Sequence, residues 1–334
     1  MGKVTRIGTR ESQLAVWQAT QVQQLLQQNN FQSELVFIKS EGDIDLQTPL
    51  YEMGVQGIFT KSLDIALLNN QSDSYRIDIA VHSMKDVPTQ LAKGIVQAAV
   101  LKRASYKDLL VINPQSSMVN EGAEKFDTRF TIPDSLLTEP YTIATSSTRR
   151  KAQWLNRYPN DTIENLRGNV NTRLRKVNES NWHGAIFAAA GLERIGLRPK
   201  NSIELDWMLP APAQGAIMVV CREADDFSVA ACQYFNDMET ALCTKIERDF
   251  LKILLGGCST PISALAIIEK EEMIFKGNIL SVDGKEKVDI EMSYPGMNAG
   301  AIHVEDAEIG IKAAHEILLK GGDEIIKGIR NAAK

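Results

Sequence analysis

Residues 77–89 read Ile77-Asp78-Ile79-Ala80-Val81-His82-Ser83-Met84-Lys85-Asp86-Val87-Pro88-Thr89. A short apolar run gives way to His82, Ser83, Lys85 and Asp86, and Pro88 then pushes Val87 into extended backbone. A strand buried on both faces belongs to a largely parallel sheet covered by helices. The loop just past the carboxyl end of such a strand is where open α/β sheets bind ligands. Read blandly, the same loop needs only a Lys85–Asp86 pair in solvent. A Ser-His-Asp hydrolase is excluded, because three members within five residues cannot adopt triad geometry and the sequence has no Gly-x-Ser-x-Gly elbow.

Upstream of this segment the pattern alternates. Val4–Gly8 reads as a strand, and Ser12–Gln28 as a helix with an apolar stripe at Leu14, Trp17, Val22, Leu25 and Leu26. Glu34–Lys39 is a second strand, Phe59–Leu68 a helix and Ile77–Val81 a third strand, which together make βαβ units. Residues 113–140, rich in polar positions and prolines, read as a surface insertion near a domain boundary. The alternation then resumes with strands at Tyr141–Ala144 and Ala185–Ala190 and helices at Thr148–Tyr158 and Val170–Val177. Pro210-Ala211-Pro212-Ala213-Gln214-Gly215 reads as a crossing segment, followed by the strand Ala216–Cys221 and the helix Thr240–Leu254. Beyond Pro261 the pattern changes to strands at 263–269, 272–281 and 286–292 and a helix from about Asp306 to Leu319. Successive strands followed by a helix imply a separate small α+β domain.

Composition bounds the function. At 334 residues the chain is long enough for two or three domains, and 44% hydrophobic with 24% charged residues is ordinary for a folded protein. Four cysteines exclude a disulfide-dense scaffold and point to a reducing, cytoplasmic setting. No apolar stretch approaches a membrane span, and the first residues lack the apolar core of a signal peptide. A net charge of −5 disfavours a general nucleic-acid binder. Within Ile143–Lys176, however, eight basic residues face only Asp161 and Glu164, a local surplus of six positive charges. A solvated helix face would explain a charge run, but not the use of six arginines. The arginine fork suits carboxylate or phosphate.

Three segments carry chemistry beside 77–89. Thr145-Ser146-Ser147-Thr148-Arg149-Arg150 opens a helix, where capping hydroxyls, free N–H groups and two arginines favour an anion. Arg167-Gly168-Asn169 with Arg173 repeats the arrangement one element later. Gly256-Gly257-Cys258-Ser259-Thr260-Pro261 displays a thiol between adaptable glycines and a fixed proline, whereas Cys221, Cys232 and Cys243 fall in core patterns. No Cys-x-x-Cys occurs and the four histidines are dispersed, so no metal site is expected.

Together the stretches 7–15, 78–89, 145–150, 166–174, 190–196, 213–216 and 256–262 resemble the porphobilinogen deaminase (hydroxymethylbilane synthase) family, in family order along the whole chain. The resemblance implies an α/β fold of three domains. Two are periplasmic-binding-protein-like (type II) lobes with mixed, mainly parallel sheets, spanning 1–104 with 215–236 and 105–214. The third is a C-terminal α+β domain at 237–334. It also implies a monomeric, cytoplasmic transferase that condenses four porphobilinogen molecules, with loss of ammonia, onto a dipyrromethane cofactor joined by a thioether to Cys258. Asp86 would be the catalytic carboxylate. Ser83, Lys85, Asp86, Thr145, Ser147, Arg149, Arg150 and Gly168 would hold the cofactor. Arg10, Arg103, Arg149, Arg150, Arg167, Arg173 and Arg194 would hold substrate carboxylates. One departure is Val55-Gln56-Gly57, where many relatives carry Gly-Lys-Gly, so Gln56 is assigned no contact. Two other classes compete. A non-catalytic binding protein for an anionic metabolite explains the arginines but not the displayed thiol. An RNA binder would need more aromatics than Trp154 and Tyr158 among the basic residues.

Overall fold

The computed structural model describes residues 3–39, 60–69, 76–116, 140–254, 260–295 and 308–332. The first sheet is built from β1 (Thr5–Thr9), β2 (Ser33–Phe37), β3 (Ile79–Ser83), β4 (Ile95–Leu101) and β10 (Ile217–Arg222), in the order β2-β1-β3-β10-β4. The second takes β5 (Asp108–Ile112), β6 (Thr142–Ala144), β7 (Thr162–Glu164), β8 (Gly184–Ala188) and β9 (Ser202–Glu204), in the order β7-β6-β8-β5-β9. In each sheet four strands run one way. The exceptions are β10, antiparallel to β3 and β4, and β5, antiparallel to β8 and β9. The two lobes therefore share one topology, and the chain crosses between them twice, after β4 and before β10.

Helices cover both faces of each sheet because the interior strands are largely apolar; β5 is buried at all five positions. Helix α1 (Gln13–Gln28) starts where the Ser12 hydroxyl accepts from Ala15 N, and it buries Ala15, Ala19, Val22 and Leu26 on the first sheet. Helix α2 (Lys61–Leu68) packs Leu63 and Leu67 on the opposite face. In the second lobe α3 (Thr148–Arg157) buries Trp154 beside Tyr158, and α4 (Val170–Glu179) buries Val177. The strand expected through Ala190 ends at Ala188 and turns into the short helix α5 (Ala189–Glu193). Helix α6 (Asp226–Gln233) completes the first lobe.

The third unit is the antiparallel sheet β11 (Ile262–Glu269), β12 (Glu272–Leu280) and β13 (Lys287–Pro295). Helices α7 (Met238–Ile253) and α8 (Ile309–Ile317) pack on it, with Ile246, Phe250, Phe275 and Ala313 at the centre. The expected C-terminal helix continues past Ile317 as a π-helical turn, Leu318–Gly322. At Gly321 the backbone takes φ +97°, and the chain resumes as α9 (Asp323–Ala332). Gly256, Gly257, Cys258, Gln56, most of the 113–140 region and the expected helix start at Asp306 lie outside the described residues.

Candidate active site between the lobes

The expected site residues sit past the carboxyl ends of parallel strands. Arg10 follows β1, and Ser83 ends β3 and leads into a single 3-10 turn, Met84–Asp86. Thr145 follows β6, Ser147 caps α3 and Arg149 and Arg150 lie in its first turn. Arg167 and Gly168 lie between β7 and α4, which carries Arg173, and Arg194 caps α5. Local chemistry sets each turn. Ser147 Oγ accepts from Arg150 N (3.4 Å), and Thr145 Oγ1 accepts from Ser147 N (3.2 Å). Gly168 takes φ +112°, a left-handed conformation that glycine tolerates, and Asn169 Oδ1 then caps α4 through Thr172 N at 3.0 Å. Ser83 Oγ accepts from the Gln18 amide at 2.9 Å, which ties the end of β3 to α1.

Charged groups from both lobes lie close enough to act on one another. Burial lowers the Lys85 pKa to about 8; Asp86 and Asp108 oppose the fall, and Arg150 and Arg149 add to it. Burial lowers Arg173 to about 10, with Arg150 and Arg167 adding to the fall and Asp86 opposing it. Five cations, Lys85, Arg149, Arg150, Arg167 and Arg173, thus share a site with two carboxylates, Asp86 and Asp108. The Arg173 guanidinium makes no hydrogen bond or ion pair among the described residues, and its Nε is buried without a partner, as is the Nε of Arg149. A surplus of enclosed positive charge with unsatisfied donors suits a polycarboxylate. The residues present therefore fit a dipyrromethane bearing acetate and propionate arms. His82, buried beside Arg10, has its pKa lowered to about 3, first by burial and then by that arginine, and stays neutral.

Not every expected arginine faces this site freely. Arg149 and Arg150 converge on Asp108, which is fully buried: Arg149 Nη2 lies 2.8 Å from Oδ2 and Arg150 Nη2 lies 2.7 Å from Oδ1. Gln214 Nε2 donates to the same Oδ1 at 2.9 Å. Arg149 Nη1 also donates to Leu209 O (2.6 Å), and Arg150 Nη1 to Ile186 O (3.0 Å). Arg194 Nη2 donates to Gly215 O at 2.7 Å, in the second crossing. Arg103 is engaged by a different carboxylate. Its guanidinium is bidentate on Glu247 (2.6 and 3.1 Å) and its Nε donates to Gln214 O at 2.8 Å. Glu247, wholly buried on α7, also accepts from Ala213 N (2.6 Å) and Ala266 N (2.8 Å).

Asp108, Gln214 and Glu247 are buried polar residues that hold the arginines in place and to which motif reading gave no role. Two of them left a trace. Asp108 opens an otherwise apolar strand, and Glu247 interrupts the helical stripe Cys243, Ile246, Phe250 with a charge.

The fold and the site define a two-lobed α/β protein that gathers buried arginines where its lobes meet, with a third unit fastened to the crossing segments. Residues 5–230 match the family model described as porphobilinogen deaminase, dipyromethane cofactor binding domain, and residues 241–319 match the porphobilinogen deaminase C-terminal domain. The porphobilinogen deaminase of Syntrophotalea carbinolica is 36% identical over 97% of this chain and 95% of its own. The chloroplastic porphobilinogen deaminase of Oryza sativa is 37% identical over 95% of this chain and 84% of its own. The chain belongs to the porphobilinogen deaminase family, a family of transferases that use a dipyrromethane cofactor. The methionine binding protein MetQ, a solved structure, aligns over 69% of this chain and 89% of its own at 13% identity and TM-score 0.40, too distant a likeness to carry weight.

Proposed function

We propose that the chain condenses four porphobilinogen molecules head to tail, releasing four molecules of ammonia, onto a dipyrromethane held as a thioether by Cys258, and that water then cleaves the four added rings from this primer as hydroxymethylbilane. The observation that carries this reading is the enclosed arginine cluster facing Asp86, in a chain of this family. The bound dipyrromethane supplies a primer whose free α-carbon bonds to the incoming substrate. Lys85, Arg149, Arg150, Arg167 and Arg173 hold the acetate and propionate groups, and Ser83, Thr145, Ser147 and the Gly168 backbone complete the cradle. Arg10 and Arg194 extend it along the crossing. Hydrogen bonds to charged groups contribute roughly 1.5–3 kcal/mol each, so several such contacts retain a growing chain. As ammonia leaves, positive charge develops on the substrate ring, and the Asp86 carboxylate stabilises it and relays the ring proton. Arg103, engaged by Glu247, holds the junction instead of substrate.

The domain division proposed is 1–104 with 215–236, 105–214 and 237–334, and the grouping of the described strands into three separate sheets supports it. The enzyme is read as a cytoplasmic monomer; among the described cysteines Cys221, Cys232 and Cys243 are free and buried, consistent with a reducing compartment. No helix among the described residues is long and apolar enough to cross a membrane.

Intact-mass measurement of the purified protein tests the proposal. An adduct of two condensed pyrrole units, lost in Cys258→Ala, is expected. An unmodified protein with full activity overturns the attachment. Binding of porphobilinogen without release of ammonia would favour the non-catalytic alternative.

A further inference from the structure

The turn that carries Lys85 and Asp86 is three residues long and closes on one internal hydrogen bond, Val87 N to Met84 O (3.1 Å). A single 3-10 turn has poor intrinsic geometry and little cooperative support. Its entrance is secured within its own lobe, because Met84 is buried in the core and Met84 N donates to Ala216 O at 3.0 Å. Its exit is secured from another unit. Arg248, on helix α7 and only 9% exposed, donates from Nη1 to Val87 O (2.9 Å) and from Nη2 to Pro88 O (2.6 Å), with a longer contact from Nη1 to Met84 O (3.4 Å). Pro88 fixes the backbone at this exit and brings no N–H of its own, and the Arg248 guanidinium supplies donors to the Val87 and Pro88 carbonyls.

We propose that Arg248 is a positioning residue for the reaction: its guanidinium fork, spread over the carbonyls on both sides of the turn, sets where the Asp86 carboxylate stands. This inference rests on Asp86 being the catalytic carboxylate. The guanidinium suits the task because its donors diverge in a fixed plane, which a lysine ammonium cannot reproduce. The neighbouring residue of the same helix, Glu247, grips Arg103 in the first crossing and Ala213 N in the second. Two consecutive side chains of α7 thus refer the catalytic turn and both crossing segments to one rigid element.

Steady-state kinetics of holoenzyme variants test the inference. Arg248→Met is expected to lower kcat about tenfold to a hundredfold, the scale of a carboxylate displaced by roughly an ångström. KM stays near that of the parent enzyme, and the pyrrole adduct is retained by intact mass. Arg248→Lys, which keeps the charge and loses the fork, is expected to fall between, and it carries the test alone if Arg248→Met does not fold. Added methylguanidinium is expected to restore part of kcat to Arg248→Ala and none to Asp86→Asn. Folded, cofactor-loaded Arg248 variants with unchanged kcat would overturn the inference, as would a loss confined to KM or to thermal stability. Normal turnover by Asp86→Asn would instead overturn the reading on which it rests.

Discussion

At the scale of single residues, Asp108 shows how a buried carboxylate can serve a cationic site. Burial alone would raise its pKa, but Arg149 and Arg150 outweigh burial and hold it well below the usual carboxylate range. A carboxyl depressed in the folded state contributes stability that is complete above the ordinary value near 4 and is lost as pH falls below it. Asp108→Asn leaves two buried guanidinium groups uncompensated and is expected to cost about 3–5 kcal/mol in urea melts at neutral pH. The gap to the parent protein should narrow as the melts are repeated below about pH 4. Lys85 offers a second check. Because its pKa sits near 8, a fraction of the side chain is neutral there, and a carboxylate placed beside it restores the charge. Reconstituting cofactor-free enzyme near pH 8 is therefore expected to take up protons, read by calorimetry in buffers of different ionisation enthalpy. Lys85→Arg, always charged, should take up fewer. The identities of Lys85, Arg150 and Arg173 were legible in the sequence because they sit in compact motifs. Asp108 was not, because its partners are 41 and 42 residues away and only folding brings them together.

Among the elements, α7 concentrates the long-range connections. Glu247 accepts four hydrogen bonds from Arg103, Ala213 and Ala266. Glu247→Gln is expected to destabilise by several kcal/mol, since it removes the charge and offers an amide where backbone donors already point. In a double-mutant cycle with Arg103→Met the two changes should be strongly non-additive, by about 1–3 kcal/mol in chemical denaturation. Additive effects would show that the pair is not a unit. The principal helices and the strands β1, β3, β10 and β11–β13 were legible from apolar periodicity and caps. The short strands β7 and β9 were not: three residues in each give no alternation to read, and pairing with β6 and β5 defines them. Helix α9 was hidden by Gly321-Gly322, which reads as a terminator although Asp323 and Glu324 start a new helix just beyond.

Across the whole molecule, the two crossing segments lie against each other. Ala104 N donates to Gly215 O at 3.1 Å. Gly215 takes φ +88°, and a Cβ there would lie 2.7 Å from the carbonyl oxygens of both Ala104 and Ser105. Gly215→Ala is therefore expected to destabilise by about 1–3 kcal/mol, from backbone strain that no side chain can relieve. Thermal unfolding of the variant checks it, and an unchanged melting temperature would rule out this close approach. The strand exchange behind these crossings also governs how the protein is made. Strand β10 lies between β3 and β4, yet it is encoded after the entire second lobe. A ribosome that has released residues 1–216 has delivered a first sheet with its interior strand missing, and β3 and β4 each present an unpaired edge. Completion of the first lobe must wait for β10 and α6, as far as Gln233, to emerge, so of the two lobes the one translated first is completed second. Nascent chains arrested between β9 and β10 are where aggregation and chaperone demand should peak during synthesis.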